Sequence, residues 1–93
     1  MVVGLITWEI YVAGCESLKD KRRVIKSLKD RLHNRFNVSV SETGHQKVWQ
    51  RAQLACCVVS PDRKHAQLVI TSVDGFVCDE ALARVIDSKT EFL

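Results

Sequence analysis

Side chains that could act as nucleophiles or metal ligands are few, and their spacing matches no known catalytic pattern. His33, His45 and His65 do not lie at ligand spacing from one another or from an acidic residue. No serine lies in a nucleophile-elbow motif, and no glycine-rich phosphate loop is present. A nucleophilic Cys15 with a distant histidine is the one catalytic hypothesis left. We therefore predict that the chain is not an enzyme and has no cofactor.

The cysteines suggest either a disulfide framework or a zinc site, and neither suits this sequence. Disulfides are typical of secreted chains, and the N-terminus shows no export signal. Cys56 and Cys57 are adjacent in an apolar run, where a strand would send them to opposite faces and away from a common metal. We predict no metal and reduced thiols at all four positions, Cys15, Cys56, Cys57 and Cys78.

Length and composition indicate one globular domain spanning residues 1–93. The hydrophobic fraction of 46% and charged fraction of 27% are ordinary for a folded protein. The first residues enter an alternating pattern without a basic segment or a cleavage site, and no apolar run approaches the roughly 20 residues of a membrane span. We expect a soluble, cytoplasmic protein without a membrane partner.

Hydrophobic periodicity predicts the order strand, helix, strand, strand, helix, strand. In the first helix, Ser17 is the predicted cap, with Asp20 three residues later, and an apolar stripe follows at helical spacing. In the second helix, Ser60 is the predicted cap and Pro61 the first helical residue. The predicted elements are Val2–Val12, 18–35, 37–44, 52–59, 62–77 and a last strand that ends at Phe92.

The polarity of the strands predicts where each one lies in the sheet. The first and third strands are apolar, as expected for central strands, and the second and fourth are more polar. This pattern fits an α+β fold, the ferredoxin-like βαββαβ sandwich, with a four-stranded antiparallel sheet and both helices on one face.

The first helix is strongly basic. It holds eight Lys or Arg and two Asp, a net charge of +6, whereas the whole chain carries +3, so the remaining residues sum to −3. Such segregation is expected of a surface that contacts a phosphate backbone. An alternative of equal weight is a solvated helix face whose lysines cover apolar neighbours.

A polar loop over residues 45–50 contains Trp49, with Lys47 and Arg51 nearby. Aromatic and cationic side chains in this mixture stack on unpaired bases. We favour the alternative that Trp49 folds back and closes one end of the core, and we keep base stacking as a hypothesis.

The sheet face without helices should carry Thr7, Glu9 and Tyr11, together with Leu5 and aliphatic residues of the third strand. RNA-recognition motifs place aromatic residues on this face, but their glycine-and-aromatic signature is absent from the third strand. Direct base reading there is not expected. A partly apolar open face is typical of a surface covered by homodimerisation.

Three runs of residues carry a family resemblance that covers roughly Val2 to Val59. They are SLK-x-KR at 17–22, RFN-x-S-V-x-E at 35–42, and WQRA at 49–52. The chain resembles the YlxP-like family of small bacterial proteins of unknown function. The resemblance implies a ferredoxin-like domain, and it implies a role near the ribosome because genes of members often neighbour those of translation-initiation and ribosome-maturation factors. It implies no activity and no residue roles.

Our leading hypothesis is an RNA-contacting or ribosome-associated accessory domain. A protein-interaction or dimerisation module without a nucleic-acid role is the alternative, and a small-molecule or regulatory domain is a third possibility, since this fold hosts many functions. The candidate nucleic-acid-binding residues are Lys19, Arg22, Arg23, Lys26, Trp49 and Arg51.

Overall fold

The computed structural model describes residues 1–93 and contains the six elements in the predicted order. The sheet order is β2-β3-β1-β4, and all three strand pairs are antiparallel, so the apolar strands β1 and β3 are central as predicted. Neither helix is both long and apolar enough to cross a membrane. The elements are β1 (Val2–Val12), α1 (Leu18–Arg35), β2 (Ser39–Gly44), β3 (Arg51–Ser60), α2 (Arg63–Cys78) and β4 (Ala83–Phe92).

Alternation along the two central strands creates the core. Every second residue of β1 from Ile6 onward is buried beneath the helices, including Trp8, whose indole N–H donates to Asp74 of α2 over 2.9 Å. In β3, Cys56 is buried in this core while Cys57 faces the other side, as strand geometry predicts. Burial, with a smaller effect of Cys57, raises the pKa of Cys56 to about 12. The Cys56 thiol is therefore protonated and unreactive near neutral pH.

Helix α1 begins where the sequence predicts. The Ser17 side chain accepts a hydrogen bond from the Asp20 amide at 3.1 Å, which satisfies one of the unpaired donors of the first turn. Ile25, Leu28 and Leu32 are buried against the sheet. Their spacing of three and four residues aligns them on one side of the helix, so the intervening residues face outward.

The start of α2 differs from the prediction. Asp62, not Ser60, caps the helix, because its carboxylate accepts from the His65 amide at 2.8 Å. Ser60 lies two residues earlier and donates to the Asp62 carbonyl, so Pro61 precedes the cap and is not the first helical residue. Gly75 does not end the helix, which continues to Cys78.

A charged residue of α1 is buried completely, which the sequence analysis did not predict. The side chain of Lys21 has 0% exposure, and its ammonium group lies 2.9 Å from a carboxylate oxygen of Glu42 on β2. The same ammonium donates to the His45 carbonyl in the β2–β3 hairpin. Helix, edge strand and hairpin are therefore joined by one buried cation.

Removal of Glu42 should cost more stability than removal of Lys21. Glu42→Gln leaves a buried cation without its counter-ion, a change that typically costs about 3 kcal/mol or more. Lys21→Met leaves a carboxylate with one shielded oxygen, but its side chain is still 16% exposed and can be partly hydrated, so we expect a smaller loss. The double variant should recover part of the Glu42→Gln loss, as measured by urea unfolding.

The exposed pair Lys26–Asp30 is the matched control. It has the same charges at 2.7 Å, but both side chains are more than half exposed. Lys26→Met and Asp30→Asn should each change the free energy of unfolding by about 0.5 kcal/mol or less. Equal effects at the buried and exposed pairs would contradict the burial of Lys21.

Candidate nucleic-acid interface

The first half of α1 presents the four predicted cations to solvent. None of them is buried, because each lies between the inward-facing positions of the helix. Lys26 pairs with Asp30, whereas Lys19, Arg22 and Arg23 have no carboxylate within ion-pair distance. We call these three residues the free cations of α1. Their charge is available to an external anion.

Two of the three cations in the second half of α1 make internal contacts, and the third, Lys29, forms no ion pair. Arg31 forms an ion pair with Glu80 and lies 5.9 Å from the centre of the Phe76 ring. Arg35 lies 5.5 Å from the same ring centre. These contacts hold α1 against α2, so this half of the helix offers less unpaired charge than the first half.

Trp49 lies in the β2–β3 hairpin and is 50% exposed, so the prediction that it closes one end of the core is wrong. The hairpin tip turns at His45, whose φ of 58° is in the left-handed region, and a Val48 amide donates to the His45 carbonyl. The Val12 amide donates to the Gln50 carbonyl at 2.8 Å. Trp49 is therefore at the end of the sheet where β1 ends and α1 begins.

Arg51 is separated from the other candidate cations. Its position on β3 alternates with the buried Ala52, so it faces the open side of the sheet while α1 covers the opposite side. One guanidinium nitrogen lies 3.3 Å from Glu9, and its Nε is shielded from solvent without a hydrogen-bond partner. The structure thus places the six candidates on two faces, with Trp49 at the end between them.

Glu9 is the centre of a polar network that sequence reasoning missed. Its carboxylate accepts from Gln53 at 2.8 Å and from Arg51, and His45 Nε2 lies 2.9 Å away. Burial acts to raise the pKa of Glu9, but these hydrogen bonds outweigh it and hold the pKa below its ordinary value of 4.5. Only the register, which sets Glu9 opposite Gln53, reveals the network.

The open face is more polar than predicted. A surface depression of about 310 Å³ at its middle is lined only by polar and charged residues, including Thr7, Glu9 and Asp87. Exposed aliphatic side chains lie at the two ends of the face, with Ile86 near the end of β1 and Val59, which is 64% exposed, where β1 begins. The other members of this apolar end are Val3, Leu5 and Cys57.

Comparison with known proteins identifies the family. A family model described as a protein of unknown function (DUF503) matches residues 3–90. The chain belongs to the DUF503 family. The match includes the second half of the sequence, beyond the segment on which the YlxP-like resemblance was recognised.

One relative supports this family assignment, and one solved structure supports the fold. The uncharacterized protein YlxP of Bacillus subtilis (strain 168) is 38% identical over 79 residues, which covers 81% of this chain and 86% of the relative. A de novo designed protein with a ferredoxin fold, determined by NMR, has a TM-score of 0.52 and 11% identity, and covers 100% of this chain and 83% of the design. The second likeness confirms the predicted fold.

Two of the runs that carried the resemblance meet in space. Lys21 belongs to the run at 17–22 and Glu42 to the run at 35–42, and these two residues form the buried ion pair. The outward-facing members, Lys19 and Arg22, have no such structural contact. The buried pair therefore has a structural role.

The Glu9 network predicts a pH-dependent contribution to stability. A carboxylate with a lowered pKa in the folded state stabilises the fold above the unfolded pKa, and this contribution is lost as pH falls through the folded pKa. Glu9→Gln should therefore be less stable than the parent at neutral pH, and the difference should shrink as the pH drops below 4.5. Urea unfolding across this pH range measures it.

Asp30→Asn is a suitable comparison, because the pKa of Asp30 is also lowered, chiefly by its hydrogen bond from Lys26, but at an exposed site. Its effect should be weaker and should fade at high salt. A Glu9→Gln effect that is independent of pH would refute the ionised network.

Proposed function

We propose that the protein is an RNA-binding accessory domain that holds the phosphate backbone on the first half of α1. The free cations of α1 carry the proposal: three exposed, unpaired charges lie on one surface of a helix, and the residues outside that helix are net acidic. No intramolecular contact explains these charges, in contrast to Lys21, Arg31 and Arg35 of the same helix.

The spacing of these cations suits a backbone contact. From Lys19 to Arg23 the helix advances about 6 Å at 1.5 Å per residue, which is long enough for consecutive phosphates. Arginine also donates in a planar fork that matches phosphate oxygens. Exposed Trp49 at the same end of the sheet offers a ring for an unpaired base. A ribosomal location is supported by the family resemblance alone.

Charge reversal at Arg22 and Arg23 tests the proposal. Arg22→Glu combined with Arg23→Glu should lower affinity for a labelled single-stranded RNA by orders of magnitude at fixed salt. It should also flatten the plot of log affinity against log salt by about 1.4, since each phosphate contact contributes about 0.7 for single strands. Fluorescence anisotropy at several salt concentrations measures both quantities.

The control is Arg63→Glu with Lys64→Glu, at the start of α2. This is also an adjacent exposed pair on a helix, and it changes the net charge by the same amount. It lies at the other end of the sheet, beyond the end of β3. If both double variants bind RNA equally, or both retain the parent salt slope, α1 is only a solvated surface.

Self-association is a second candidate, favoured by the apolar end of the open face. Val59 is exposed on a central strand and lies beside Val3 in the strand register. An aspartate there would place a charge within any dimer interface. Val59→Asp should convert a dimer to a monomer in sedimentation at micromolar concentration, without altering the RNA salt slope. A parent that sediments as a monomer rules this candidate out.

A further inference from the structure

A β-bulge changes the surface of the open face near the end of β1. Glu9 is opposite Asp87 and Ile10 is opposite Val85, so β4 has one additional residue, Ile86, at this point. Ile86 is 51% exposed. Bulges re-aim side chains and recur beside functional sites. Here the bulge forms one wall of a cleft.

The cleft has a volume of about 400 Å³ and is lined by Tyr11, Arg84, Val85 and Ile86. Tyr11 of β1 is directly opposite Arg84 of β4. Arg84 takes part in no ion pair, and neither the tyrosine hydroxyl nor the guanidinium has a hydrogen-bond partner in the protein. An aromatic ring, one exposed aliphatic side chain (Ile86) and one unpaired cation are thus presented together, while Val85 packs against the core below them.

A second arginine lies on the other side of the same ring. Arg51 of β3 is the cross-strand partner of Tyr11, so the row across three strands reads Arg51, Tyr11, Arg84. A base can stack on the aromatic face while a neighbouring guanidinium binds the attached phosphate. Only three apolar residues line this cleft, between two cations, and this apolar area is small for a contact with a protein partner.

We propose that this cleft, which we call the Tyr11 cleft, binds an unpaired nucleotide of single-stranded RNA. The base stacks on Tyr11 beside Ile86, and Arg84 donates to the phosphate. This inference rests on the proposed function, because it extends the path of the same RNA. It adds a base-binding position on the face opposite to α1.

Neighbouring charges give the nucleotide a direction. The polar depression further along the open face holds Glu9, Asp87 and Glu91 against one cation, Lys89, so its net negative charge repels a phosphate. The backbone must therefore leave the Tyr11 cleft toward the end of the sheet where β1 ends. Trp49 and the first turn of α1 are at that end. A single strand can thus pass from the cleft, around the hairpin tip, to the free cations.

Tyr11 is the only tyrosine in the chain, so isotope labelling of tyrosine gives NMR signals from this one ring. Titration with oligoadenylate or with AMP should shift these ring signals, because a stacked base changes the local ring current. Ribose phosphate, which has no base, should shift them much less. Tyr11→Phe keeps the stacking surface and should bind oligoadenylate like the parent.

Two further variants divide the contact into its parts. Tyr11→Leu should lower oligoadenylate affinity roughly tenfold, the typical loss for one stacked base. Arg84→Gln should flatten the salt slope by about 0.7, as expected for one phosphate contact. Parent-like binding by both variants would overturn the proposal.

The other outcomes separate this proposal from the proposed function. If RNA binding depends on Arg22 and Arg23 but the Tyr11 signals do not move, the cleft is not a base site and the α1 interface stands. If the Tyr11 and Arg84 variants weaken binding but the α1 variant does not, the cleft is a base site and the proposed α1 interface is wrong. Equal shifts with ribose phosphate and AMP would reduce the cleft to an anion site. Tyr11 signals that depend on protein concentration without RNA would mean that a second copy covers it.

Discussion

The buried ammonium group of Lys21 lies between the Glu42 carboxylate and the His45 carbonyl, and it fixes three elements relative to one another. Because Lys21 points inward, its helical neighbours Arg22 and Arg23 must point outward. Because His45 is held by its carbonyl, its ring can lie against Glu9 on the opposite sheet face. The orientation of α1 and the position of the hairpin thus both depend on one desolvated cation.

The two halves of α1 illustrate how charge is divided between structure and binding. Arg31 and Arg35 are paired with Glu80 or placed over Phe76, so their charge contributes to the contact between the helices. No such partner lies near the free cations of α1. A helix that needed charge only for solubility would gain from interspersed carboxylates, which weaken self-repulsion at low cost. Unpaired cations at one end favour an external anion.

Periodicity was sufficient to predict the elements but not their polar contacts. The alternation of β1 and β3 gave the central strands because burial of one sheet face imposes a period of two. Lys21 lies four residues before Ile25, on the apolar stripe, so its spacing predicts burial. Its charge argues against burial, and for that reason the buried position was not predicted. The face of Arg51 follows from alternation with Ala52. Its contact with Glu9 does not, because partners across strands depend on register.

Trp49 was misjudged for a related reason. Whether a hairpin tip folds onto the core depends on its backbone turn, here set by a left-handed His45 and a bond between β1 and the loop. Neither feature has a strong local signature, since His45 is not a glycine. A bulky aromatic side chain such as that of Trp49 usually favours burial. Here the hydrogen bond from the Val12 amide to the Gln50 carbonyl holds the loop at the end of the sheet, and Trp49 remains half exposed.

The length of β1 allows the two faces and ends of the sheet to serve different partners. Val3 at one end and Tyr11 at the other are separated by about 26 Å, at roughly 3.3 Å per residue. The apolar end and the Tyr11 cleft are therefore too far apart to be covered by the same small contact. The net negative charge of the polar depression between them also disfavours an RNA path toward the apolar end. The proposed self-association at Val59 and the proposed RNA binding at α1 and Tyr11 are thus compatible in one molecule, since each would use a surface that the other leaves exposed.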